Sequence, residues 1–583
     1  MPTPHPQPYE VVQQNQLSPA PDTTPDKNSA TALNRRGFLA QISGLTAAAL
    51  AAEATGQLPS SVGLGSVALA EDSPEDLQKA GRSGDPKKRA NAARTLRKRA
   101  ATAQRRVPLP DHPINGDEER YGTKIGSFSK TLPHNALGEV TLDAYAALLA
   151  AVNRGETSAF EAIPLGGTAK LANPQAAYTF SLEGGDSHHF EMLAPPAFAS
   201  AEQAGELAEL YWQALTRDIP FVDYATDPLI RAAAVDLSAF SVFHGPKQDT
   251  VVTSDSLFRG PTPGDLTGPY LSQFLWKDIP SGAMTIVQRY RTTVAEDDHL
   301  TEYAEWLHVQ NGGAPRRSLT FDTTTRYLRN GRDLGEYVHW DYSYQAFLNA
   351  ALLLLSFGAA AWDDRNPYKS LKTQGAFSTF GGPYILDLVA RVSNAALQAA
   401  WRQKWLVHRR LRPEEFSGRL HHHKLGAASY PISPEILNSP VLVQSFAQHG
   451  SYLLPMAYPE GCPTHPAYPA GHAAIAGACV TVLKSFFKET FVLPNPVVAS
   501  ADGLALLPYS EASLTVGGEL NKLASNISLG RDTAGLHWRS DGIEGLKLGE
   551  AVALRLLMDW RETVNEEFAG FSLTQFDGTT IAV

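Results

Sequence analysis

The sequence predicts a mainly α protein, built as helical bundles with two four-helix-bundle-like cores, long loops and little β-structure. Apolar residues recur at three- and four-residue spacing over five long stretches. Glycine- and proline-rich joints separate those stretches, as at Gly245-Pro246 and in residues 261–264, 381–383 and 494–496. No segment sustains the apolar–polar alternation of a half-buried strand, and no internal repeat appears. Hydrophobic content of 43% and charged content of 19% over 583 residues describe a soluble globular chain long enough for more than one core. The formal net charge of -10 argues against a nucleic-acid binder, because phosphate binding needs a net basic face.

Residues 1–70 read as an export signal. Asn34-Arg35-Arg36-Gly37-Phe38-Leu39 opens a weakly apolar run that ends near Ala52, and Ala68-Leu69-Ala70 supplies a small-residue cleavage site before Glu71. That order is the one a twin-arginine signal has, so the mature protein is expected to be periplasmic or secreted. No other run approaches the ~18 apolar residues a membrane span needs, so no transmembrane anchor is expected in the mature form. Residues 71–120 are polar and basic, from Lys87-Lys88-Arg89 through Arg105-Arg106, and read as a solvated linker or surface helix. Residues 121–583 then form the α-helical domain, with helical spacing over 201–219, 344–357, 386–411, 471–487 and 542–564. The two cysteines, Cys462 and Cys479, are too few for a disulfide framework. They are expected to be free thiols, since Cys479 lies on a helix leading away from Cys462.

Three cationic elements stand out. In residues 401–413, WRQKWLVHRRLRP, Lys404 and Arg412 lie eight apart, about 80° out of line in an ideal helix. Pro413 pushes Arg412 out of helical geometry and lets it turn toward the surface that Lys404 faces. A lysine point charge and an arginine fork suit one oxyanion, although most cations in this crowded segment are solvated. In residues 464–473, THPAYPAGHA, Gly471 and its small neighbours open a helix whose first-turn N–H groups favour an anion. There His472 can exchange a proton with that anion; the alternative is a buried structural histidine. In residues 529–541, LGRDTAGLHWRSD, Gly530 and Gly535 suggest a flexible loop that brings Arg531 and His537 to one point. Asp541 stands four residues after His537, where a carboxylate can hold one ring nitrogen and leave the other as ligand or nucleophile; a surface pair is the alternative.

Taken together, Lys404, Arg412-Pro413, Ala470-Gly471-His472, Arg531, His537 and Asp541 resemble the motif of the vanadium-dependent haloperoxidases, a superfamily shared with acid and lipid phosphatases. Residues 201–224, 258–313 and 318–353, including RYLRNGRDLGEYVHWD, are similar to its algal and bacterial bromoperoxidase branch. The resemblance implies vanadate as cofactor, with His537 as the metal ligand. Lys404, Arg412, Arg531 and the Gly471 amide would hold the equatorial oxygens, and His472 would be the acid–base partner of the apical one. The implied reaction turns hydrogen peroxide, halide and a proton into hypohalous acid and water, with small organic acceptors then halogenated. His465 stands where the bromoperoxidase branch has histidine and the chloroperoxidase branch an aromatic residue, which favours bromide and iodide. Trp401 and Pro463 match residues of the halide region, though plain helix packing explains Trp401 equally well. The family's usual serine is replaced by Ala470, which removes a hydroxyl donor worth roughly 1.5–3 kcal/mol. Relatives of this branch form dimers or larger assemblies, so a homo-oligomer is expected.

Two rivals use the same pocket: a phosphatase with His537 as nucleophile, and a non-catalytic oxyanion-binding protein. His421-His422-His423, after Gly418 and next to Lys424, reads as a solvated loop rather than a metal tract.

Overall fold

In the computed structural model the described residues are 74–583. The chain divides into two units, Met1–Leu77 and Gln78–Val583. Of the first, only residues 74–77 are described, and they are helical; everything below concerns the second. The twin-arginine motif and its cleavage site lie outside the described residues.

The basic run forms helix α1 (Pro86–Arg105), capped by the Asp85 side chain on Lys87 N and with none of its residues buried. The packed body begins near Asp117, whose buried carboxylate accepts the Phe198 N–H. Helices α2 (Leu142–Arg154), α3 (Ala201–Thr216), α4 (Pro228–Ala239), α5 (Tyr303–Gln310), α6 (Gly331–Trp340) and α7 (Gln345–Ser356) follow, joined by long loops. The second half holds α8 (Gly382–Arg402), α9 (Pro413–Lys424), α10 (Pro440–His449), α11 (Gly471–Phe486), α12 (Val516–Thr533) and α13 (Arg539–Arg561). Among the described residues the strands are three-residue pieces in three antiparallel pairs: β1 (Ile279–Ser281) with β2 (Met284–Ile286), β3 (Val497–Ala499) with β4 (Leu506–Pro508), and β5 (Ser572–Thr574) with β6 (Thr580–Ala582). The protein is mainly α, as its periodicity predicts.

Helix α11 is the axis of the main bundle, with α8, α12 and α13 packed around it. All of its residues except His472 are buried, which requires an apolar surface on every side. Its alanines and glycines allow unusually close neighbours. A Cβ on Gly477 would lie 2.1 Å from Leu546 O, and one on Gly549 would lie 2.0 Å from Ala474 O. Backbone therefore meets backbone where α11 crosses α13. A second group forms around α3, against α4, α10 and α12. Both groups belong to one continuous apolar cluster, and a smaller cluster around α2 includes Trp405.

Three local expectations are corrected. The helix anticipated over 386–411 ends at Arg402; Gln403–His408 widens into a π-turn, and Arg409 adopts left-handed φ 39°. Arg412 is then extended (φ -85°, ψ 157°) and caps α9, where Pro413 takes the first-turn position that needs no N–H donor. His421 to His423 are not a solvated loop, because α9 runs on to Lys424 and buries His421 and His422. Gly418, which suggested the loop, lies under the Trp306 ring, where a Cβ would come within 2.3 Å. Arg531 sits on the last turn of α12 rather than on a flexible loop. Gly530 there serves close packing, since its added Cβ would lie 3.1–3.2 Å from Leu334 and Val338 side-chain atoms. Both cysteines are buried and free, as expected.

Candidate oxyanion site

The π-turn aims Lys404 inward, fully buried, where its Nζ donates to Pro466 O (2.8 Å) and Ala467 O (2.7 Å). Those carbonyls belong to the loop before α11, which holds the cis Tyr468–Pro469 peptide. Arg412 reaches the same loop from the α9 cap: Nε donates to His465 O (2.9 Å) and Nη1 to Leu536 O (2.8 Å). Nη1 also lies 3.0 Å from His537 Nε2, and Nη2 lies 2.9 Å from His465 Nδ1. Arg531 arrives from α12; its Nη1 donates to Val338 O at 2.6 Å and its Nε is buried without a partner.

His537 sits in the short connection between α12 and α13, where Gly535 supplies φ +86°, a turn conformation that L side chains resist. Its Nδ1 donates to Asp541 Oδ2 (2.9 Å). The Asp541 carboxylate is held in turn by Arg410 Nη1 (2.8 Å) and the Trp538 N–H (3.1 Å). This selects the tautomer whose Nε2 carries a lone pair toward the cations. Ala470 N donates to Asp541 O (2.9 Å), so the α11 N-terminus and the His537 turn are tied together. Ala474 N is bonded to Ala470 O, and the amides of Gly471 and His472 precede it in the first turn, without intrahelical carbonyls.

Lys404, Arg412 and Arg531 form no ion pair with a carboxylate among the described residues, whereas buried Arg217, Arg332, Arg410 and Arg539 each do. Burial, then repulsion from Arg412 and Arg531, pushes the Lys404 ammonium well below its ordinary range. Burial followed by Arg412 and Lys404 does the same to His537 and to His465, which leaves both rings neutral. Unpaired buried charge is costly by several kcal/mol. Three such cations, a lone pair and free amides form a cradle that an oxyanion would stabilise.

The comparisons with known proteins agree with that chemistry. Residues 388–566 match the family model described as the VCPO second helical-bundle domain, which spans α8 to α13. The chain is 35% identical over 494 residues to a vanadium-dependent bromoperoxidase of Ascophyllum nodosum, covering 80% of this chain and 87% of that one. It is 33% identical to the vanadium-dependent bromoperoxidase of Corallina officinalis, covering 81% and 92%. The chain belongs to the vanadium-dependent bromoperoxidase family. A solved structure, the homohexameric second vanadate-dependent bromoperoxidase of Ascophyllum nodosum, superposes with a TM-score of 0.81 at 31% identity, covering 92% of this chain and 95% of that one.

Within this bromoperoxidase-family fold, the residues picked from sequence converge. His465 lies closer to the cations than its loop position suggests, being hydrogen-bonded to Arg412. Trp401 is 4.8 Å from the His465 ring and donates its Nε1–H to Ala172 O (3.2 Å). It also lines the approach to Gly471, whose added Cβ would be 3.4 Å from the Trp401 ring. Pro463 is half-buried on the same loop. Ala470 is fully buried at the helix cap, with no side-chain hydrogen bond to the first turn.

Sequence reasoning missed two partners. Asp341, just after α6, places Oδ1 3.0 Å from His472 Nε2; it ends the RYLRNGRDLGEYVHWD stretch, but nothing local marks it as a histidine partner. Arg410 sits among five nearby cations in sequence, and only the fold turns it inward onto Asp541, Gln203 and Glu206.

Proposed function

We propose that this chain is a vanadate-dependent peroxidase that oxidises bromide and iodide with hydrogen peroxide. The product, hypohalous acid, halogenates small organic acceptors. The observation that carries the reading is the set of buried cations, Lys404, Arg412 and Arg531, left without carboxylate partners around the Nε2 lone pair of His537. Orthovanadate has the charge and the oxygen atoms this cradle lacks. Lys404, Arg412, Arg531 and the Gly471 amide would hold its oxygens, and His537 would be the one protein ligand to the metal. When bound, vanadate supplies the Lewis acidity that makes peroxide an oxidant for halide without changing its own oxidation state.

The remaining work falls to side chains. His472 is one-quarter exposed, and Asp341 holds its Nε2, so its Nδ1 is free to take a proton from incoming peroxide and return it later. The balance is one peroxide, one halide ion and one proton giving hypohalous acid and water. Asp541 keeps the His537 lone pair directed at the cradle, and Arg410 keeps Asp541 in place. His465, beside Trp401 and Arg412, supports a preference for bromide and iodide over chloride.

The decisive experiment loads purified protein with orthovanadate and measures bromination of a diketone dye with peroxide, beside phosphate-ester hydrolysis without vanadate. Bromination that disappears in His537→Ala is expected. Phosphate release without bromination would overturn the reading in favour of a phosphatase. The twin-arginine motif supports export of the folded protein, and fractionation of an expressing cell tests it; retention in the cytoplasm would oppose it. Assembly into a homo-oligomer follows the homohexameric relative, and sedimentation of the purified protein tests that. Among the described residues, no helix is long and apolar enough to cross a membrane.

A further inference from the structure

We infer that His339 is a positioning residue for Arg531, acting through the ring of Tyr458. Only one edge of the Arg531 guanidinium is fixed by a hydrogen bond, from Nη1 to Val338 O, while Nε is buried and unpartnered. Its plane needs another support. Tyr458 supplies it: the guanidinium carbon is 5.9 Å from the ring centroid, and the ring is 2% exposed. The Tyr458 hydroxyl donates to Gly335 O, so α6 supplies one support and anchors the other.

His339, on the last turn of α6, lies flat against Tyr458, with ring centroids 3.7 Å apart and planes 7° from parallel. The imidazole is itself held between two carboxylates, by a hydrogen bond at Nε2 and by an ion-pair contact at Nδ1. Nε2 is 2.6 Å from Glu460 Oε1, and Nδ1 is 3.6 Å from Glu336 Oε2. Arg291 approaches Glu336 (3.4 Å), and Lys130 Nζ donates to Glu460 O (2.7 Å), so neither carboxylate segment is adrift. Burial disfavours the charged imidazole, but the neighbouring Glu336 and Glu460 carboxylates outweigh it and raise its pKa. A ring held this way fixes the plane of Tyr458, and that plane is the wall against which Arg531 lies. Support of this kind matters because a cradle loosened by about 1 Å loses its fit to the bound group.

The inference rests on the reading that Arg531 holds vanadate, and the test separates the two. Orthovanadate affinity of the apoprotein is measured by equilibrium dialysis, beside the thermal midpoint without vanadate. Arg531→Ala is expected to weaken binding by about tenfold or more, and His339→Ala by roughly tenfold, the scale for residues that orient a metal site's ligands. His339→Phe, which keeps a flat ring on Tyr458, is expected to bind within about twofold of wild type on the same scale. Glu460→Ala removes a half-exposed carboxylate and is expected to fall between them. Wild-type affinity in His339→Ala overturns the inference. So does an equal loss in His339→Ala and His339→Phe that tracks a fall in thermal midpoint, since that is damage to the fold. If His339→Ala does not fold, unchanged affinity in Glu460→Ala overturns it instead. Wild-type affinity in Arg531→Ala removes the reading of Arg531 itself, and the inference with it.

Discussion

Ala470 occupies the cap of α11, where a serine hydroxyl would accept from a first-turn amide or donate to a bound oxyanion. Alanine does neither, and its N-cap has no side-chain hydrogen bond. A hydrogen bond to a charged group contributes about 1.5–3 kcal/mol, or roughly ten- to a hundredfold in affinity. Ala470→Ser is therefore expected to tighten orthovanadate binding by about tenfold or more, as equilibrium dialysis would show. His472 offers a complementary test. Its Nε2 contact to Asp341 holds the ring, so Asp341→Ala should lower kcat for bromination by roughly 10²-fold or more, within the range of lost acid–base catalysis. Vanadate affinity should change far less, because Asp341 does not belong to the cradle.

At the scale of elements, the crossing of α11 and α13 has no spare space. Gly549→Ala would place a Cβ 2.0 Å from Ala474 O, and that atom belongs to a buried helix backbone that cannot swing aside. The expected cost is about 1–3 kcal/mol, read as a lower urea midpoint. Vanadate affinity should fall as well, because α13 carries Asp541 and with it the orientation of His537. The π-turn gives a pH prediction. Both ring nitrogens of His408 are buried without hydrogen-bond partners, and its ring meets Tyr468 edge-on at 4.7 Å. Burial, then His112, Arg409 and Arg410, pushes its pKa down from 6.5 to about 3. Between those values the unfolded chain binds the proton and the folded chain does not. The stability from this ring is thus fully present above about pH 6.5 and is lost as pH falls toward 3, by about 1.4 kcal/mol per unit. His408→Phe should flatten the decline of the urea midpoint between pH 6.5 and 4 relative to wild type.

At the scale of the whole molecule, charge is unevenly distributed. Helix α1 carries eight cations and no acid in a chain of net charge -10, yet none of its residues is buried. Deleting residues 86–105 should therefore shift unfolding free energy by less than about 1 kcal/mol and leave bromination intact, since exposed substitutions seldom cost more. A collapse of the thermal midpoint in that deletion would show that the helix supports the body.

The sequence by itself determined the helical class, the free cysteines, and which cations and histidines to look for at one site. Apolar periodicity, proline and glycine placement, and residue chemistry are local properties, legible without coordinates. His421 and His422 show where local reading stops: Gly418 looks like a loop signal until the Trp306 ring is found against it. Gly530 likewise reads as flexibility, but it is close packing against α6. Only tertiary structure decided which of several arginines turn inward, since Arg410 and Arg412 differ by two positions and serve different partners. It alone brought Asp341 to His472 and stacked His339 on Tyr458. Those pairings join residues more than 100 positions apart, and contacts at that separation are set by how whole helices pack, which no short stretch of sequence encodes.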